Sequence, residues 1–283
     1  TGETNLSFSG PGDVTIVASQ GGNDDWNPAA DVTNTFNVEL PLVITTTFLP
    51  TGRLSTAYSS YLEASNGTTP YAWSVMPRLV GWGYNEYGQT TVPAGLDDAI
   101  AIAAGASHSL ALKSDGTVVA WGYNYSGQAT VPNGLSNVVA IAGGGAHSLA
   151  LKSDGTVMAW GDNGQDQTNI PAGLSNVIMI AASIFNNLAL KSDGAVVAWG
   201  NNYGGQANVP AELSGVVAVS AGCYHSLALK SDGTVVAWGL NENGQINVPS
   251  GLSGVVAIAA GYDHNLALKS DGTVDAWGNN EYG

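Results

Sequence analysis

The side chains best suited to metal or acid–base chemistry are four histidines, His108, His147, His225 and His264, and their spacing is regular. They fall on one 39-residue interval, with Asn186 occupying the place between His147 and His225. A transition-metal site needs three or four donors converging on one ion. One histidine per copy of a repeating unit spreads the donors apart, so the pattern predicts structural hydrogen bonding, with the Asn186 amide standing in for an imidazole. Cys223, two residues before His225, would share its face on an extended strand. A nucleophilic cysteine also needs a base held by a third group and donors for the oxyanion, and nothing nearby supplies them. A packed small thiol is the simpler reading. Lys113, Lys152, Lys191, Lys230 and Lys269 each precede an Asp by two residues, which suits ion pairing at strand ends. Asp97 and Asp98 are adjacent acids of the kind that face solvent. No set of acid, base and nucleophile stands apart from the repeat, so the sequence predicts no enzyme, no metal and no cofactor.

The elements carrying these residues are copies of one unit. Trp82, Trp121, Trp160, Trp199, Trp238 and Trp277 recur every 39 residues, each followed by Gly. Five intervals are complete, and the sixth is WGNNEYG. Each unit holds strand-length apolar runs, such as VVAIA, SLALK and TVVAWG, separated by Gly, Pro, Asn or Asp. Asp-Gly pairs beginning at Asp115, Asp154, Asp193, Asp232 and Asp271 join two of the runs, where Gly supplies the positive φ of a tight hairpin. With a short QATVP-type strand, the unit is expected to hold about four strands. Such units are unstable alone and pack against their neighbours. Leu110 and Leu112 are expected in one inter-blade layer, with Ala111 keeping the opposite face thin and Trp121 wedged between units. The fold class is therefore all-β: a propeller built from 39-residue units.

Composition narrows the partners. The 283 residues include 22 acidic and 7 basic side chains, a formal charge of −15. That field repels phosphate backbones and anionic headgroups, so neither nucleic acid nor membrane insertion is expected. No apolar run approaches the roughly 18 to 20 residues of a spanning helix. One cysteine permits no intrachain disulfide. Few lysines, high acidity and abundant Asn, Gly and Thr favour an extracellular or cell-surface protein, read as a mature chain or an excised fragment. The N-x-S/T triplets at Asn5, Asn66 and Asn124 are read as chance occurrences.

The WGxNxxGQ stretches at Trp82–Gln89, Trp121–Gln128 and Trp238–Gln245 lead through VP-x-GL into AIAAG and HSLALKSDGTVVAWG. These residues resemble the RCC1 repeat, the propeller module of the regulator of chromosome condensation, in a compact form similar to that of bacterial secreted β-lactamase inhibitors. The resemblance covers about residues 78–283 and implies a protein-binding propeller, with β-lactamases as a target class. Its chromatin-associated members imply guanine-nucleotide exchange and histone contact, which the compact units and acidity disfavour. Relatives usually close with seven blades. Residues 1–77 form an irregular β leader that resembles fragments of bacterial immunoglobulin-like modules. They are also close in length to two units and would bring five blades to seven as degenerate blades. The alternatives are an open arc, completed or not by another subunit, and a closed five-bladed ring.

Repeated residues report the scaffold, whereas differences between copies mark surfaces free to specialise. Before the histidine series the units carry Ser107, Ala146, Phe185, Tyr224 and Asp263. After the WG pairs they carry Tyr84, Tyr123, Asp162, Asn201 and Leu240, then Glu86, Tyr125, Gly164, Tyr203 and Glu242. Aromatics among small polar and acidic residues suit protein recognition. Tyr84, Tyr123, Phe185, Tyr203 and Tyr224 are the predicted protein-binding set, on a secreted or surface module that binds, and in one version inhibits, another protein. A structural or adhesive repeat module of a larger surface protein, or a self-associating filament in which the partner is another copy of itself, is the main alternative. A propeller hydrolase or lyase is the third.

Overall fold

Alternation within HSLALK decides how the repeats stack. In His108–Lys113, His108, Leu110 and Leu112 point to one face of the strand, and Ser109 and Ala111 to the other. The large set faces the following repeat and the small set the preceding one. A bulky face thus meets a thin one at each junction, which is the fit that close packing requires.

The computed structural model describes residues 79–281, together with the backbone of the strands Gly12–Gln20, Ala29–Val38, Val43–Ile44 and Ala64–Ser65. Contacts divide the chain into Thr1–Met76 and Pro77–Gly283. In the first unit, Gly12–Gln20 pairs antiparallel with Ala29–Val38, and Val43–Ile44 with Ala64–Ser65. The expectations that this leader is immunoglobulin-like or forms two degenerate blades, and the triplets at Asn5 and Asn66, fall on residues outside those described.

The second unit holds five antiparallel sheets, blades 1 to 5, each with its strands in sequence order. Blade 1 comprises Ala99–Ala104, His108–Lys113 and Val118–Gly122. Blade 2 comprises Val138–Gly143, His147–Lys152 and Val157–Gly161. Blade 3 comprises Val177–Ala182, Asn186–Lys191 and Val196–Gly200. Blade 4 comprises Val216–Ala221, His225–Lys230 and Val235–Gly239. Blade 5 comprises Val255–Ala260, His264–Lys269 and Val274–Gly278. First strands of successive blades touch, and the second strand of each reaches the first strand of the next. The first strands therefore lie nearest the hub.

The expected fourth strand does not form. The QATVP-type segment spends its backbone groups on loops and side chains instead: Ala129 N–H donates to Asn124 Oδ1, Thr130 N–H to Gly127 O, and Gln128 O accepts from Trp160 and Ser148. Pro132 has no N–H to offer a ladder. The repeat is a three-stranded blade followed by an irregular crossing.

Between blades the core is renewed with the same residue types. Leu110, Leu112 and Val118 of blade 1 meet Val138, Ala150 and Trp160 of blade 2. Leu149 and Leu151 meet Val177, Ile180, Ala189 and Trp199 of blade 3, and Leu188 and Leu190 meet Val216, Val219, Ala228 and Trp238 of blade 4. Each wedge Trp also donates its indole N–H to the Gln carbonyl of the preceding unit, as Trp160 does to Gln128 O at 2.9 Å. The hairpins close through a turn with Gly116 at φ 78°, a conformation Gly adopts without a Cβ penalty. Asp115 Oδ1 there accepts both the Thr117 N–H and its hydroxyl.

Candidate functional site

Both variable loop series share one end of the blades. The loop between first and second strands and the segment after each WG pair are tied by a backbone bond, Tyr123 N–H to Ser107 O in blade 1. The same bond joins Asp162 to Ala146, Asn201 to Phe185, Leu240 to Tyr224 and Asn279 to Asp263, at 2.8–2.9 Å. The Asp-Gly hairpins lie at the opposite strand ends.

The repeated polar residues of these loops are scaffold. Asn124 Oδ1 accepts the Ala129 N–H, and the buried Gln128 accepts the Ser126 N–H through its side chain. The Asn124 amide of the third N-x-S/T triplet is thus spent in its own turn, also donating to Thr130 Oγ1. Residues between these fixed points are free to vary.

The predicted aromatics divide by environment. Tyr84 and Tyr203 are 67% and 87% exposed. Tyr123 is half-buried, its ring 4.6 Å from Tyr87 and 6.4 Å from Tyr125. Phe185 and Tyr224, also half-buried, pair with ring centroids 6.1 Å apart. The set is therefore not one cluster. One group lies over blade 1 and another spans blades 3 and 4. The predicted set omits Tyr125, at 89% the most exposed aromatic among the described residues, together with the exposed Tyr87 and Tyr262. Tyr125 sits in the same repeat column as Tyr203, and that signal could have found it. Tyr262 lies one residue before the column that was read.

Charge separates the two ends. The five described lysines stand at the hairpin end, paired with Asp98, Asp154, Asp193, Asp232 and Asp275 at 3.1–3.4 Å. The Thr234 hydroxyl and N–H, with Lys230 beside them, pull Asp232 down to about 2. Among the described residues the loop end holds no Lys or Arg, and it carries tyrosines and acids such as Glu86, Asp162, Glu242 and Asp263.

His108, His147 and His225 join blades. His108 Nε2 meets Ser148 Oγ at 2.9 Å, and His147 and His225 meet Asn187 and Asn265 Oδ1 at 2.7 Å, each on the following blade. Burial lowers His108 to about 4, with His147 adding repulsion, and lowers His147 and His225 as well. Asn186 does not reproduce this bridge. It is shorter than an imidazole, and its Oδ1 accepts from Ser183 in its own loop at 3.0 Å. Among the described residues no three His, Cys, Asp or Glu side chains converge on a point. Cys223 is buried and desolvation pushes its thiol up, the opposite of nucleophile activation.

These rings lie flat on glycine. A Cβ on Gly144 would stand 2.1 Å from His147 Cε1 and 2.5 Å from Nδ1. Gly144→Ala is therefore expected to push the ring off Asn187 and destabilise the protein by about 1 to 3 kcal/mol, read as a lower urea midpoint. An unchanged midpoint would show that the ring can move at no cost.

Repeated sheets, a renewed inter-blade core and variable loops at one end define a repeat-built β-propeller, a protein-interaction fold. The chain belongs to the RCC1 family: the model of the regulator of chromosome condensation (RCC1) repeat matches residues 99–128, 138–167, 177–206, 216–245 and 255–283, over half of the chain. Among curated proteins there is no match. Among solved structures, Prp20p of Saccharomyces cerevisiae, described with its binding properties to Gsp1p and histones, is similar at 23% identity and TM-score 0.60, over 70% of this chain and 66% of that one. Yeast RCC1 (Prp20) bound by Kap60 is similar at 24% identity and TM-score 0.55, over 64% and 56%. The ectodomain of the Physcomitrella patens receptor kinase CR4 gives 25% and 0.58, over 70% and 55%. The chain thus spans less than two thirds of each of these solved chains.

Proposed function

We propose that this chain is a secreted or cell-surface binding module that takes another protein on the loop end of its blades. The observation carrying the reading is the exposure of Tyr84, Tyr125 and Tyr203 on one end, over loops whose Asn and Gln residues hold the backbone fixed. Rigid exposed tyrosines bury much apolar area on contact and lose little side-chain freedom. Proteins as partners agree with the solved neighbours, since yeast Prp20 is described with Kap60, Gsp1p and histones. A partner enzyme whose active site lay beneath the contact would be inhibited.

The test compares wild type with single Tyr84→Ala, Tyr125→Ala and Tyr203→Ala variants and with the triple variant. Each first has its thermal transition measured, then its affinity for proteins captured from the native surroundings. Truncating a hot-spot tyrosine is expected to cost at least about 2 kcal/mol, roughly a 30-fold loss of affinity, with the thermal transition unchanged. Tyr123, Phe185 and Tyr224, being half-buried, are expected to lose stability as well as binding. A partner that binds the stable triple variant as tightly as wild type would remove this end as the recognition surface.

A further inference from the structure

The junction between blades 3 and 4 lacks two polar links that neighbouring junctions carry. The first is the side-chain bridge between second strands. His108, His147 and His225 each reach the following blade, whereas Asn186 turns its Oδ1 to Ser183 in its own loop and leaves its Nδ2 unpartnered at 0% exposure. The second is a backbone bond between the loops that join first and second strands. Ala106 N–H donates to Gly144 O at 3.1 Å, Gly145 N–H to Ser183 O at 3.2 Å and Cys223 N–H to Tyr262 O at 3.4 Å. Ile184 holds the same place in blade 3, and among the described residues its N–H meets neither Gly222 O nor Cys223 O.

The lost bridge traces to an exchange of residue types. Each imidazole lies flat on a glycine, Gly105, Gly144, Gly222 or Gly261, where a Cβ would stand 2.1–2.5 Å from the ring Cε1. Blade 3 has Ser183 at that place, so its Cβ excludes a ring and the smaller Asn186 is accommodated. Below the loops the junction keeps its core, with Leu188 and Leu190 packed on Val216, Val219, Ala228 and Trp238. The weakness is confined to the loop end. There the half-buried Phe185 and Tyr224 meet across the seam, their ring centroids 6.1 Å apart.

We propose that this seam opens at the loop end and takes an extended segment of the partner protein between Phe185 and Tyr224. One peptide unit offers both groups that the two loops leave unmatched. Its carbonyl accepts from Ile184 N–H or Asn186 Nδ2, and its N–H donates to the carbonyl of Gly222 or Cys223. A phosphate or carboxylate would supply acceptors alone. A buried donor left unpaired is costly, so a segment that pairs these groups is preferred to one that only covers them. The parted rings flank the segment with apolar area. Provided that the loop end is the recognition surface, as proposed above, the seam is where the partner's backbone enters it.

The probe is a valine-alanine-valine tripeptide blocked at both ends, titrated into the full chain and followed by NMR. The comparison is Ser183→Gly/Asn186→His, which restores the glycine seat and lets the introduced ring reach Ser226 as His108 reaches Ser148. In wild type the peptide is expected to shift the Ile184 backbone and Asn186 side-chain amide signals saturably, with a dissociation constant on the order of 1 mM. The double variant is expected to melt no lower than wild type and to bind about tenfold or more weakly. Should it melt early, hydrogen exchange of wild type decides. The Ile184 amide is expected to be protected about tenfold or more less than those of Ala106 and Cys223. No saturable shift, shifts confined to other loops, equal binding by both proteins, or an Ile184 amide as protected as its equivalents overturns the seam. A protein partner that the combined Tyr84→Ala, Tyr125→Ala and Tyr203→Ala variant binds weakly, but the double variant binds as wild type does, removes the seam and keeps the loop end. A partner indifferent to the tyrosine variant removes the loop end itself.

Discussion

Trp199→Ala is expected to destabilise the blades by about 3 to 5 kcal/mol, the usual cost of emptying a buried aromatic site. The indole is 6% exposed and packs with Leu149, Leu151, Val177, Ile180 and Ala189 at the junction of blades 2 and 3. Its N–H donates to Gln167 O at 3.0 Å, and in its absence that carbonyl keeps only the Asn187 amide at 2.8 Å. Trp82 occupies the same place in the repeat motif but is 84% exposed. Trp82→Ala should therefore stay within about 0.5 kcal/mol of wild type. Urea unfolding of the two variants side by side makes the comparison. Because stability in stacked repeats is largely local to each junction, the Trp199 variant is also expected to broaden or split the transition. Equal losses in both variants would mean that the motif, and not its burial, sets the stability.

The second large effect is acid sensitivity above the carboxylate range. A histidine held neutral in the fold binds protons less readily than when the chain is unfolded, so protonation favours the unfolded state. For His108, lowered from 6.5 to about 4, the stabilisation is complete above pH 6.5 and is lost progressively as pH falls towards about 4. The difference is worth on the order of 3 kcal/mol for this one residue. His147 and His225 act in the same direction because burial outweighs the opposing hydrogen bonds to Asn187 and Asn265 and the weaker pull of Asp162 and Asp263. The depressed hairpin carboxylates contribute in a separate, lower window, from 3.8 down to about 2 for Asp232. The urea midpoint is therefore expected to fall between neutral pH and pH 4, before the carboxylates titrate. His108→Gln, which cannot charge, should flatten part of that fall. A wild-type midpoint that holds steady across the whole interval would rule out the mechanism.

How much could be read in advance follows from what repeats. Five copies of one apolar pattern fix the blade, the hairpin and the roles of Leu110, Leu112 and Trp121, because a residue type kept at one position in every copy must be doing what the scaffold needs. QATVP has the composition of a strand, yet the expected fourth strand is absent because its hydrogen bonds are claimed by Asn124, Trp160 and Ser148, two of them from the next unit. The Asn186 reading failed on length, since an amide does not span the distance an imidazole does. At the loop end the columns of variation were visible, but exposure was not. Tyr123 and Tyr125 are two residues apart, and only packing against Tyr87 shows that the first is half-buried while the second projects into solvent.

The sameness of the junctions bears on how such a chain can change length over evolutionary time. Deleting or duplicating any 39-residue segment in register removes or adds one blade and one junction, and it leaves neighbours meeting through the same Leu, Ala and Trp residues. Unequal recombination within the gene would therefore yield foldable products where it would ruin most enzymes. Blade number becomes a trait that can drift, and each new blade brings one more pair of variable loops for selection to work on.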